Sequence, residues 1–210
     1  MDFKAVIFDL DGVLVFTDRY HYLAWKEIAG ELGIDFSEKD NDKLRGVSRA
    51  ESLEIILKKY DGPALSDDKK AEILSRKNGI YRDYLQEMSP ADVSMDVRDT
   101  LYELKKRGVK IAVGSSSKNT SLILEKTGLA GMFDAVADGT MITRSKPDPE
   151  VFLKAAELIG MDPDSCLVVE DADAGVEAAK AAGMHSAAIG AAVKSHQAEI
   201  EIEKISDILN

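Results

Sequence analysis

A single cysteine, Cys166, stands in a chain of 210 residues, so no internal disulfide is available to hold the fold. No stretch reaches the roughly 18 consecutive apolar residues that a membrane-spanning helix needs. The N-terminal segment does not run from basic to apolar to small residues as a leader would. The expectation is a cytoplasmic protein. No concentrated basic patch is visible either, and the formal charge is −11; nucleic acid and anionic membrane, both polyanions, are therefore excluded as partners. A small anion is not. Repeats and low-complexity tracts are missing as well. What remains is a chain with 45% hydrophobic residues, enough to bury a core in one large domain or in a domain carrying an insert.

Two textures alternate along it. From Arg19 to about Met88 only helix-like material is found: RYHYLAWKEIAGELG, with Tyr22, Trp25, Ile28, Ala29 and Leu32 on one stripe of helical period, then SRAESLEIILKKY, then DDKKAEILSRKNGIYRDYLQEM. After SPADV, helices (DVRDTLYELKKRG, NTSLILEKTG, PEVFLKAAELIG, AGVEAAKAAG) alternate with apolar strands (VKIAVGSSS, FDAVAD, SCLVVED, HSAAIG). That rhythm predicts a parallel sheet covered by helices on both faces. The first strand, KAVIFDL, belongs to this second texture. The fold class is therefore α/β, a three-layer core of residues 1–15 and 92–210 interrupted by a helical insert, 16–91, the size of a small domain.

In an open parallel sheet, ligands bind beyond the carboxyl ends of the strands. Reading those ends in order gives Asp9 and Asp11 around the break at Gly12, then Ser115, Ser116 and Ser117, then Lys146 in the loop after FDAVADG, then Glu170 and Asp171. Carboxylates brought together repel unless a hard cation sits among them, and all-oxygen ligands suit Mg²⁺. Asp9, Asp11, Glu170 and Asp171 are the expected metal-holding set. Ser115 and Lys146 suit a phosphate. With the charge screened, Asp9 is placed to attack phosphorus and Asp11 to move the proton of the leaving or entering oxygen.

These residues carry a resemblance. DLDGV (9–13), GSSSKN (114–119), SKPDPEVF (145–152) and VVEDADAGVEAAKAAG (168–183) resemble, in order, the four motifs of the haloacid dehalogenase superfamily, over nearly the whole chain. The resemblance implies an Asp9 nucleophile, an Asp11 acid/base, phosphoryl binding by Ser115 and Lys146, and Mg²⁺ supported by Glu170 and Asp171. The insert is similar to the cap of the β-phosphoglucomutase subfamily, through YHYLAWKEIAGELGI, LRGVSRAESLEIIL, SRKNGIY and SPADV. That likeness implies a distal-phosphate grip by Arg49 and substrate contacts by His21, Trp25, Gly46 and Lys77. It also puts Ser117, Lys118 and Asn119, beside Ser116, where phosphate or sugar is bound.

The expected activity is thus a Mg²⁺-dependent isomerase interconverting β-glucose 1-phosphate and glucose 6-phosphate, acting on a small sugar phosphate as a monomer. Two alternatives stay open: a sugar-phosphate hydrolase using the same aspartate, and a phospho-acceptor signalling module. Motif order disfavours the module, whose acceptor would follow a middle strand. Packing competes with function at particular residues. His21 borders an apolar stripe, the Tyr22/Trp25 stripe suits the core of the insert, and Arg49 suits a solvated helix start. Cys166 reads as a buried structural thiol. One position departs from the family pattern: Phe16 stands where relatives carry an acid before the threonine.

Overall fold

Ala5–Phe8 is buried at every position, as a strand must be when helices cover both faces of its sheet. The computed structural model describes residues 3–44 and 47–210. In it, Ala5–Phe8 forms β1, joined by β2 (Lys110–Gly114), β3 (Ala135–Ala137), β4 (Cys166–Glu170), β5 (His185–Ala188) and β6 (Ile200–Glu201). Their order is β3-β2-β1-β4-β5-β6, and each neighbouring pair is parallel. β1 is central, with Ile7 opposite Ala112 on one side and Val168 on the other. The chain runs outward from β1 through β2 to β3 and then returns to β4. That reversal opens a crevice at the carboxyl ends of β1, β2 and β4.

The chain divides into two compact units, one of Met1–Phe16 with Met88–Asn210 and the other of Thr17–Glu87. In the first unit, helices α5 (Met95–Lys106), α6 (Thr120–Lys126), α7 (Glu150–Ile159) and α8 (Asp173–Ala181) alternate with the strands. Ile7, Ala112 and Val168 pack against Val151, Phe152 and Ala155 of α7 and Ala178 and Ala179 of α8. Val6 and Phe8, at the alternate positions of β1, face the other side. Ser94 starts α5 by accepting the Val97 N–H at 3.2 Å, and Gly160 ends α7 in the left-handed region at φ 67°, which costs glycine least. Cys166 is buried and free, its thiol pushed up to about 11 by burial and then by Asp164 and Asp162.

The second unit holds α1 (Asp18–Glu31), α2 (Glu38–Asp42), α3 (Arg49–Leu57) and α4 (Asp67–Leu85). Trp25, Ile28 and Ala29 of the predicted stripe join Ile34, Phe36, Leu53, Ile56 and Ile73 in its core, with Tyr22 and Leu32 partly buried beside them. Ser48 and Ser66 cap α3 and α4 by accepting the N–H groups of Glu51 and Lys69.

Three elements differ from the sequence expectation. The strand expected over FDAVAD shrinks to Ala135–Ala137, and just before it the Asp134 carboxylate accepts the Ile111 N–H at 2.9 Å. α2 has only five residues, too few to show a period, and it starts where Asp40 Oδ2 accepts from the Ser37 N–H and hydroxyl. β6 has two. Among the described residues, no helix is long and apolar enough to cross a membrane.

Candidate active site

β1 ends one residue before Asp9, whose N–H bonds Val169 O at 3.0 Å and so holds the aspartate beside the end of β4. The chain then turns at Gly12, φ 84°, where an added Cβ would overlap the Asp171 carboxylate. The strand does not continue through Asp11, and the turn leaves room for Asp171, the acid that follows β4. Lys146, from the loop between β3 and α7, donates to Asp9 Oδ1 at 2.5 Å and also to Glu170 Oε1. Its ammonium lies 4.5 Å from the centre of the Phe152 ring, a favourable cation–π position. Glu170, 1% exposed, uses its other oxygen to accept the N–H groups of Asp171 and Ala172, each at 3.0 Å.

Carboxylates outnumber cations here. Burial pushes Asp9 well above the usual carboxylate range; Lys146 opposes this, and Glu170 and Asp11 add to it. Burial raises Asp171 to about 7, with Glu170 and Asp11 adding to it against Lys146. Burial works against the Lys146 ammonium, but Asp9 and Glu170 outweigh it and hold the charge in place. Ligand oxygens of Asp9, Glu170 and Asp171 lie within 4.8 Å of one another. Hard oxygen donors under mutual repulsion fit a small divalent cation, which lowers the cost of keeping them ionised. Of the four metal-holding residues expected from the sequence, three form this cluster. Asp11 does not join it with its side chain; beyond the end of β1 its carboxylate acts on Asp9 and Asp171 through charge.

Ser115, 3% exposed, follows β2, and its Oγ accepts the Ser117 N–H at 3.2 Å. Ser117 Oγ in turn accepts the Asn119 N–H at 3.2 Å. Gly139 packs so closely that a Cβ there would overlap the Ser116 carbonyl, and its N–H bonds Ser117 O at 3.1 Å. Among the described residues, Ser116 Oγ is buried without a hydrogen-bond partner, a state that a bound acceptor would relieve. Asn119 is buried at the start of α6, and Lys118 is exposed.

The remaining sequence candidates belong to the helical unit. Lys77, 2% exposed, lies with its Nζ 2.8 Å from His21 Nδ1; an ammonium can only donate, so that nitrogen accepts and the imidazole is neutral. Burial lowers His21 well below its ordinary value, and Lys77 and Arg49 act in the same direction. Trp25 is 2% exposed and packs in the core of the unit, its ring 5.0 Å from Lys77 Nζ. The indole expected at the substrate is thus packed in this core. Arg49 begins α3. Gly46 lies outside the described residues. Phe16 is 74% exposed.

Residues 3–183 match the model of the haloacid dehalogenase-like hydrolases. The chain belongs to this family. A β-phosphoglucomutase of Bacillus subtilis (strain 168) is 38% identical over 98% of this chain and 91% of its own length. A crystal structure of β-phosphoglucomutase from Clostridium difficile superposes with a TM-score of 0.88 at 34% identity, covering 98% of this chain and 93% of that one. The fructose-1-phosphate phosphatase of Escherichia coli (strain K12) is 30% identical over 87% of this chain and 94% of its own. The chain is an enzyme of the haloacid dehalogenase family, and its relatives include both mutases and sugar-phosphate phosphatases.

Two further residues, Thr17 and Tyr81, lie beside His21. Tyr81 donates to Thr17 Oγ1 at 3.0 Å and stacks on His21 with ring centroids 4.1 Å apart. The spacing was available: Tyr81 is four residues beyond Lys77, and His21 four beyond Thr17, so each pair shares a helix face.

Proposed function

We propose that this enzyme is a β-phosphoglucomutase, interconverting β-D-glucose 1-phosphate and glucose 6-phosphate through a phosphorylated Asp9 and a glucose 1,6-bisphosphate intermediate. The observation that carries the phosphoryl-transfer chemistry is the buried contact of Lys146 with both Asp9 and Glu170. It holds both carboxylates in place at the mouth of a parallel sheet. The similarity to enzymes named β-phosphoglucomutase, which extends through the helical unit, supports the choice of sugar.

In this reading an Asp9 oxygen forms a bond to phosphorus as the phosphorus–sugar oxygen bond breaks, and Asp11 gives its proton to the departing oxygen. For return transfer, Asp11 takes the proton of a sugar hydroxyl as that oxygen attacks the phosphorylated aspartate. Phosphorylated Asp9 gives its group to the 6-hydroxyl of β-glucose 1-phosphate. The bisphosphate then turns end for end and returns its 1-phosphoryl group to Asp9. Ser115, Ser116, Asn119 and Lys146 hold the transferring group; Arg49, His21, Lys77, Ser117 and Lys118 bind or orient the rest of the substrate. Asp9, Glu170 and Asp171 would hold Mg²⁺, which when bound offsets negative charge on the transferring phosphoryl oxygens. The protein acts as a cytoplasmic monomer.

The second reading is hydrolysis of a sugar phosphate by the same aspartate. It is favoured by the phosphatase relatives and by Phe16, exposed at the point where the helical unit begins. The deciding experiment supplies β-glucose 1-phosphate with a trace of glucose 1,6-bisphosphate and Mg²⁺, and follows glucose 6-phosphate and inorganic phosphate together. Accumulation of glucose 6-phosphate with little free phosphate supports the mutase, and dominant phosphate release supports the hydrolase. The α anomer serves as the control for the sugar.

A further inference from the structure

Glycine in a helix interior ordinarily weakens it relative to alanine, yet Gly175 occupies the first turn of α8 and is buried. The structure supplies a reason. A Cβ built at Gly175 would overlap the carboxylate of Glu170, falling on its Cδ and on both oxygens. A carboxylate at the end of a loose side chain would swing away at little cost. This one is held, because Oε1 accepts from Lys146 while Oε2 accepts the N–H groups of Asp171 and Ala172. With Glu170 1% exposed, water does not replace those partners. Displacing the carboxylate therefore breaks its bonds to Lys146, to two backbone amides, or to all three. Lys146 is also the partner of Asp9.

We propose that Gly175 is a positioning residue for phosphoryl transfer: its bare Cα leaves the slot in which Glu170 grips Lys146, and through Lys146 it sets the attitude of Asp9. The assignment rests on the reading of Asp9 as the nucleophile. It differs from a general need for helical glycine, since at Gly30 of α1 an added Cβ would meet, among the described residues, nothing within 4 Å apart from the adjoining residues and backbone of its own helix.

The test compares Gly175→Ala with Gly30→Ala. Amide hydrogen exchange at Asp171 and Ala172 in the resting enzyme reports Glu170 independently of any substrate. Steady-state kinetics with β-glucose 1-phosphate report Lys146 and Asp9. The proposal expects the two amides of Gly175→Ala to exchange at least about tenfold faster. It expects kcat to fall about a hundredfold, as for a sub-ångström to ångström misplacement, with KM little changed. Gly30→Ala should match the parent in both readouts. Shortening the acid should restore room, so Gly175→Ala should cost much less in an Glu170→Asp background than alone. Faster exchange with parent-like turnover, or lost turnover with unchanged exchange, overturns the proposal. If Gly175→Ala fails to fold, recovery of folding by Glu170→Asp supports it, and no recovery overturns it. If the parent turns over no sugar phosphate, the functional reading fails, while accelerated or unchanged exchange still decides whether Gly175 places Glu170.

Discussion

Lys146 Nζ lies 2.5 Å from Asp9 Oδ1, with each side chain only 11% exposed. A charge pair this dry interacts more strongly than one in water, and it joins residues 137 positions apart in sequence. Replacing Lys146 by Met keeps much of its length and removes the charge. The expected result is a loss of about 10²-fold or more in kcat, with far-UV circular dichroism unchanged. Lys146→Arg should not restore activity, because a planar fork does not fit where a compact ammonium bonds two carboxylates. Turnover within a few fold of the parent in either variant would contradict the role.

The acidic cluster of Asp9, Glu170 and Asp171 makes metal removal informative about stability as well as activity. A ligand that binds only the folded state stabilises it by about 2.7 kcal/mol at a concentration of 100 times its Kd. Added Mg²⁺ should therefore raise the melting temperature of chelator-treated protein, and Asp171→Asn should largely abolish that rise. Differential scanning fluorimetry with and without Mg²⁺ checks this. A melting temperature indifferent to Mg²⁺ in the parent would count against the cluster as a metal site.

His21 gives the helical unit a pH dependence whose sign is fixed. Its folded value lies well below 6.5, through burial first and then Lys77 and Arg49. As pH falls below 6.5 the unfolded chain takes up a proton that the folded state refuses, so stability is fully present above 6.5 and is lost on acidification. The slope is at most about 1.4 kcal/mol per pH unit. Urea unfolding between pH 7.5 and 5.5 measures it, and His21→Gln should flatten the slope. An identical slope in the variant would show that other groups cause it.

Thr100, in α5, is 1% exposed, and among the described residues its Oγ1 has no hydrogen-bond partner. A buried hydroxyl without a partner costs about 1–3 kcal/mol, and valine has nearly the same shape. Thr100→Val is expected to be neutral or to stabilise, as a shift of the urea midpoint at unchanged slope would show. A loss of stability would mean that the hydroxyl has a partner in solution.

The extent to which sequence revealed this molecule follows from the kind of signal each feature leaves. β1, β4 and the stripe of Trp25, Ile28 and Ala29 were legible because burial imposes runs and periods on apolar residues. The grouping of Asp9, Lys146, Glu170 and Asp171 was legible because parallel-sheet topology brings strand ends together whatever their separation in the chain. α2 and β6 were not, since elements of five and two residues have no period. Asp11 stood two places from Asp9, but only the turn at Gly12 separates its carboxylate from the cluster. Gly175 stands inside the stretch VVEDADAGVEAAKAAG, but its role was not legible there, since its importance is the space it leaves for Glu170.

Covalent labelling of Asp9 tests the account most directly. The enzyme is incubated with glucose 1,6-bisphosphate, quenched in acid, digested and mapped by mass spectrometry. The prediction is a single hydroxylamine-sensitive phosphoryl group on the peptide containing Asp9, absent from Asp9→Asn, which should also lack turnover. A phosphoryl group carried on another residue, or an Asp9→Asn variant as active as the parent, would contradict it.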